Sequence, residues 1–196
     1  MPGTPELRGG LPLLAFPNAP ALEAWLERQP PDHPGIWLKL AKNGSGIASV
    51  TKSEAVDAAL CFGWIDGQLN AYDQAYFLVR FTPRRRKSKW SLVNVERAEA
   101  LIEAGRMRPG GMREIEAARA DGRWAAAYPP QSRMAVHDDL QAALDSDPDA
   151  AACFAGLSGA NRYALLYRLH QVTDPAKREQ AIAGWVAMLA RGETFH

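Results

Sequence analysis

The chain predicts an α+β fold: a small antiparallel sheet packed with helices, followed by a C-terminal helical bundle. Three observations carry that prediction. Two segments of the first half alternate apolar and polar residues with a period of two, as half-buried strands do. From Ser91 onward the apolar residues return at helical spacing instead. A break at Tyr128-Pro129-Pro130-Gln131-Ser132 then sets four consecutive helical stretches apart from everything before them.

The elements follow in order. Residues 1–11, rich in Pro and Gly, are expected to be a flexible tail. Asn18-Ala19-Pro20 opens a helix through Arg28, with Leu22, Trp25 and Leu26 at helical spacing, and Pro30-Pro31 stops it. Ile36 to Leu40 alternates as a strand with Ile36, Leu38 and Leu40 on one face, and Asn43-Gly44-Ser45-Gly46 is a turn. Thr51 and Glu54 form a capping box for a helix through about Phe62 that Gly63 ends. Trp64-Ile65-Asp66-Gly67 reads as a short extended piece ending in a turn. Ala75 to Thr82 is the second alternating strand: Phe77, Val79 and Phe81 face one way, Tyr76, Leu78 and Arg80 the other, and Pro83 ends it. Ser91 is expected to cap a helix to about Gly105, and Met112 to Asp121 to form another, ended by Gly122. His137 to Asp145, Pro148 to Leu157, Asn161 to Gln171 and Pro175 to Arg191 complete the helices, the last capped by Asp174. The expected domains are therefore a tail (1–11), an α+β domain with a basic loop (12–127), a linker (128–136) and a helical module (137–196).

Composition narrows the function classes. At 196 residues, 47% hydrophobic and 23% charged, the chain has the apolar content of a globular protein with a full core. A net charge of +1 excludes a wholesale polycation. Cys61 and Cys153 lie far apart without C-x-x-C spacing, so neither a disulfide framework nor a zinc site is expected. The four histidines show no metal-ligand spacing, and G-x-G-x-x-G and P-loop patterns are absent, so no metal and no cofactor is expected. The N-terminus has no apolar segment led by positive charge, and no run approaches the ~18 apolar residues of a membrane span. A cytoplasmic location is the expectation.

Charge is concentrated in one place. Arg80 to Arg97 reads RFTPRRRKSKWSLVNVER, with seven basic residues against Glu96 alone; 16 basic and 21 acidic residues remain outside it. Five cations fall within positions 84–89, and their self-repulsion calls for an anion or an acidic surface. The loop leaves a strand at Pro83 and enters a helix at Ser91, whose first N–H groups would add to an anion site. Ser88 and Ser91 supply hydroxyls, and Trp90 a flat face for a base, a sugar or a guanidinium. The competing reading is a solvated turn with Trp90 in the core. Asp66, alone in an apolar run, needs water or a partner, and Arg80 on the next strand is the natural one. Asp66 is then either a turn or ion-pair residue, an organiser of the arginines, or a general acid or base. Trp25, Trp124 and Trp185 read as core, and Arg162, Arg168 and Arg178 as solvated.

The segments ALCFGWIDGQ (59–68), RFTPRRRKSKWSLVN (80–94) and EALIEAGRM (99–107) resemble the YdeI/OmpD-associated family. The end of the chain is similar to that family's C-terminal helical module. The similar stretch runs from Phe154-x-x-Leu157 through Arg162-Tyr163 to Met188-Leu189-Ala190-x-Gly192-Glu193. The likeness covers about residues 15–196. It implies a bacterial, cytoplasmic protein under the label of bacteriocin protection, with no assigned substrate or catalytic residue. One departure stands out: His170 to Gln180 keeps only part of the basic character that the family shows before its last helix.

The leading expectation is an anion-binding module, for a phosphate-containing small molecule. Asp66, Arg80, Arg84, Arg85, Ser88, Trp90 and Ser91 are its candidate ligand-binding residues. Nucleic-acid binding along the same loop, an enzyme using Asp66, and a protein-interaction module linked to bacteriocin or stress tolerance are the alternatives. No protein partner is identified.

Overall fold

A computed structural model describes residues 6–194. The chain divides into two compact units. One runs to Trp90 and includes Asn94–Ala127, and the other joins Ser91–Val93 to the residues from Tyr128 on.

The first unit contains β1 (Leu7–Arg8), β2 (Leu11–Ala15), α1 (Ala19–Leu26), β3 (Ile36–Ala41), α2 (Lys52–Cys61), β4 (Trp64–Ala71), β5 (Tyr76–Pro83), α3 (Leu92–Glu103) from Asn94 on, and α4 (Pro109–Ala120). The α+β class holds, and the sheet runs β1-β2-β3-β5-β4. It is mixed rather than antiparallel throughout, because β2 lies parallel to β3. The connection between these two strands carries α1, as a parallel crossover requires. Of the expected tail, residues 1–5 lie outside the described residues. From Leu7 the chain is strand, turned back onto β2 by Gly9 and Gly10, both at positive φ (56° and 79°).

β4 does not stop at Gly67. It runs on to Ala71 through a register shift between Asp66 and Leu69, where Gly67 and Gln68 bulge against β5. The hairpin turns later, at Asp73, whose carboxylate accepts hydrogen bonds from the N–H groups of Ala75 (2.8 Å) and Tyr76 (2.7 Å). Ile36, Leu38, Leu40, Val79 and Phe81 face the helices and share a core with Leu22, Leu26, Val95, Leu101 and Ile115. Trp37 and Leu78, on the other face, join Leu11 and Leu13 in a smaller cluster.

Local chemistry explains the helix starts. Asn18 accepts from Ala21 N–H at 3.0 Å, and Pro20 stands in the first turn. The Thr51 capping box is complete, with Thr51 N–H donating to Glu54 at 2.9 Å and Glu54 N–H to Thr51 at 3.2 Å. α4 begins at Pro109, three residues before the apolar pattern predicts, because Gly110 and Gly111 are inside the helix.

The second unit is helical: α5 (Asp138–Asp145), α6 (Pro148–Ala155), α7 (Gly159–His170) and α8 (Pro175–Ala190), after a single 3-10 turn at Gln131–Arg133. Its core is Leu140, Leu144, Phe154, Leu165, Leu166, Leu169, Ile182 and Leu189, with Trp185 packed against it. Asp147, Ser158 and Asp174 cap α6, α7 and α8 with side-chain oxygens 3.0, 3.2 and 2.9 Å from their N–H donors.

Two arginines expected to be solvated are structural. Arg178 donates to both oxygens of Asp139 through Nε and Nη2, one edge of the guanidinium, while its Nη1 donates to the carbonyls of Leu169 (2.8 Å) and Val172 (3.4 Å). Arg162 lies over the Phe154 ring at 4.9 Å and donates to the carbonyls of Phe154 and Ala155 at 3.2 Å. Helix C-termini leave carbonyls without intrahelical donors, and these guanidinium groups meet them. Among the described residues, no helix is long and apolar enough to cross a membrane.

Candidate functional site

The basic loop has a buried root and an exposed tip. Its root is tied down by the Arg84 N–H, which donates to the Gly63 carbonyl at 2.9 Å. The Arg84 side chain is the one buried charge among the described residues, at 7% exposure. Its guanidinium carbon lies 3.5 Å from the Trp90 ring centroid, and Nη1 donates to the Lys89 carbonyl at 3.3 Å. Trp90 is itself buried, its ring centroid 4.8 Å from that of Trp124. The tip is a hydrogen-bonded turn: Ser88 N–H donates to the Arg85 carbonyl (2.7 Å) and Arg85 N–H to Ser88 Oγ (2.9 Å). Arg123 braces it from α4's far end, donating to the Ser88 carbonyl at 2.9 Å and to Asp121 at 2.8 Å. Desolvation pushes the Asp121 carboxyl up, but the hydrogen bonds from Arg123 outweigh it and hold the group below its ordinary value.

The structure therefore brings Arg84, Ser88 and Trp90 together, while the Arg85 side chain faces solvent. The Trp90 face is taken by a guanidinium, so it is closed to a base or a sugar. Ser91 belongs to the second unit, where it bridges to Tyr128. Asp66 and Arg80 do not pair. Asp66 registers with Phe81 and Arg80 with Trp37, which puts their side chains on opposite faces of the sheet. Arg80 Nε is buried without a hydrogen-bond partner among the described residues.

A cleft of about 220 Å³ opens at the root of the loop. Phe62, Gly63 and Trp64 contribute to its lining, and Trp64 is braced by Trp25 and His33 at ring distances of 5.7 and 5.3 Å. Arg84 enters from the loop, Arg108 and Arg113 from the start of α4, and two carboxylates, Glu27 and Glu114, share the lining. No side chain caps α4, and Pro109 at its first position has no N–H. Gly110 lines the cleft, so the partial positive charge of the helix start adds to the arginines. Among the described residues, the side chains of Arg108, Arg113, Glu27 and Glu114 make no ion pair.

Glycines allow this arrangement. A Cβ on Gly110 would lie 2.7 Å from the Phe62 carbonyl oxygen, and one on Gly111 would lie 2.5 Å from those of Cys61 and Leu60. Gly63, at φ +80°, meets the Gly110 carbonyl in the same way at 2.8 Å. These glycines let the start of α4 pack directly on the backbone at the end of α2. The sequence reading missed Arg108, Arg113, Glu27 and Glu114. The signal was Arg108-Pro109-Gly110-Gly111, a proline at a helix start followed by two glycines.

Other chemistry lacks support. Burial pushes the Cys61 thiol up to about 11, which keeps it protonated and unreactive. Among the described residues, no cluster of His, Cys, Asp or Glu could hold a metal ion.

Residues 14–114 match the family model described as Domain of unknown function (DUF8412). Residues 133–192 match the one described as Bacteriocin-protection, YdeI or OmpD-Associated. Comparisons with curated proteins and with solved structures found no match. The YdeI/OmpD-associated likeness is thus shown over the C-terminal helices, whereas the motifs at 59–68, 80–94 and 99–107 lie inside the first match. That match also contains every residue of the cleft lining and spans just over half of the chain. The chain accordingly belongs to the DUF8412 family and carries a YdeI/OmpD-associated segment over its last helices.

Proposed function

We propose that the first unit binds a small anionic, phosphate-containing molecule in the cleft at the root of the basic loop. One observation carries this reading: buried Arg84 lines the cleft beside Arg108 and Arg113, two cations with no acid partner among the described residues. Trp90 holds the Arg84 plane in place, and the planar forks of Arg108 and Arg113 can match phosphate oxygens in pairs. Ser88 shapes the loop. Arg80 lies on the sheet face that carries Trp37, and Asp66 stands outside the lining, so the reading is one of binding and gives Asp66 no acid–base role.

The test is a titration with inorganic phosphate and pyrophosphate, followed by tryptophan emission, which Trp64 and Trp90 make sensitive to the cleft. The expected result is saturable binding, weakened at least about tenfold in the double variant Arg108→Ala/Arg113→Ala, a loss of about 1.4 kcal/mol. The double variant Arg85→Ala/Arg86→Ala is expected to change affinity by less than about twofold, since surface charges at a distance act weakly at physiological salt. The reverse pattern would move the site to the loop tip and overturn the reading.

A second reading rests on that tip. Arg85, Arg86, Lys87 and Lys89 are all exposed around a hydrogen-bonded turn, which suits a polyanion such as nucleic acid. It requires phosphate contacts alone, because Trp90 is not available for stacking. Short DNA bound as tightly at high salt as at low salt would count against it. A role in bacteriocin tolerance is the setting that the description of residues 133–192 supports.

A further inference from the structure

We infer that the ligand of this cleft is amphoteric, a small molecule carrying an anionic group together with an ammonium group. The inference rests on the anion-binding reading above and deepens it. Its basis is the mixed charge of the lining, in which Arg84, Arg108 and Arg113 stand with Glu27 and Glu114. The two carboxylates are not neutralised by the arginines beside them, since no ion pair joins any of the four α4 and α1 side chains among the described residues. A site for a plain anion would be weakened by unpaired carboxylates in a half-enclosed space. A site for a dipolar solute requires both signs.

Position supports the same conclusion. The Glu114 stem lies over Gly63, where a Cβ would come within 3.2 Å of Glu114 Cγ, so the side chain starts from a packed point of the lining. Arg113 precedes it on α4, and Glu27 follows directly on α1. Leu26, Phe62 and Trp64 supply apolar surface for the carbons that separate the two charged groups. Size narrows the class further. A volume of about 220 Å³ falls below the roughly 300–1,000 Å³ of drug-sized pockets. That fits an amino acid or a phosphorylated amine seated in the cleft.

The experiment compares matched ligands by calorimetric titration on the full chain. Phosphoethanolamine is set against ethyl phosphate, and β-alanine against propionate, so one pair reports a phosphate head and the other a carboxylate head. The expected result is that in at least one pair the amine-bearing member binds at least about tenfold tighter than its partner. That ratio falls below about threefold in the variant Glu27→Gln/Glu114→Gln, whose amine-free ligand binds as well as before or better. The retained amine-free binding doubles as evidence that the variant is folded. Equal affinities within both pairs overturn the inference and leave the anion site standing. A ratio that survives the glutamine changes also overturns it, since the ammonium then contacts other groups. If none of the four ligands binds, this inference and the anion-binding reading fall together.

Discussion

In the second unit Arg178 gives its donors to Asp139 and to the carbonyls of Leu169 and Val172, and Arg162 gives its own to Phe154 and Ala155. In the first unit Arg108 and Arg113 reach a cleft with no acid partner among the described residues. The same residue type thus holds helix ends together in one unit and lines a cleft without an acid partner in the other. Arginines count as evidence for binding only after their partners have been traced. A charge run in a sequence does not distinguish the two uses.

The largest expected effect removes the cleft itself. Gly111→Ala places a methyl group against two backbone carbonyls, and neither can yield without moving α2 or α4. A stability loss of about 3 kcal/mol is expected, at the upper end for overpacking, together with loss of phosphate binding. Urea unfolding of the variant with native-like stability and intact binding would mean the helices can part freely.

Next is Arg178→Ala, which strands two helix-end carbonyls and a carboxylate. Both partners of the ion pair are partly exposed, so the expected cost is about 2 kcal/mol rather than that of a fully buried pair. Slowed-exchange amides of α7 and α8 should lose protection in this variant while those of the sheet keep theirs. The pH dependence sharpens the test. Hydrogen bonds from Arg178 hold the Asp139 carboxyl below its ordinary 3.8, so the stability it contributes is fully present above 3.8. That contribution is lost as pH falls through the lower folded value. Acid unfolding of the second unit should therefore flatten in Arg178→Ala.

Arg162→Ala is expected to cost about 1 kcal/mol, from two carbonyl bonds and the contact with the Phe154 ring. The smallest effect on stability belongs to Arg108→Ala/Arg113→Ala, within about 0.5 kcal/mol of the parent, as for exposed side chains without partners. A thermal unfolding midpoint lowered by several degrees in this last variant would show that the two cations stabilise the fold, and would erase the contrast between the units.

Much of the fold was legible because its signals are local. Asn18, Thr51 with Glu54, and Asp174 satisfy N–H groups within three residues, so their caps follow from the sequence alone. The alternation at Ile36–Ala41 and Tyr76–Pro83 marks strands because one face of each meets the core. β2 escaped notice, since five residues with a proline among them show no clear period, and its parallel partner lies beyond an intervening helix. Gly67 reads as a turn in the sequence because glycine marks turns and bulges alike, and only the pairing with β5 separates them.

The candidate site divides along the same line. Composition and order along the chain determined that positive charge would gather between Arg80 and Arg97, and that Arg84, Ser88 and Trp90 would be near one another. Tertiary structure alone decided that Arg84 turns inward onto Trp90 while Arg85 to Lys87 stay in water, and that Asp66 and Arg80 sit on opposite faces of a sheet. It also decided that Arg108 and Arg113, some twenty residues beyond the loop, share a cleft with it. Caps and strand periods depend on neighbours a few residues apart. A cleft depends on backbones from distant segments meeting at Gly63, Gly110 and Gly111, and no local rule specifies which segments those are.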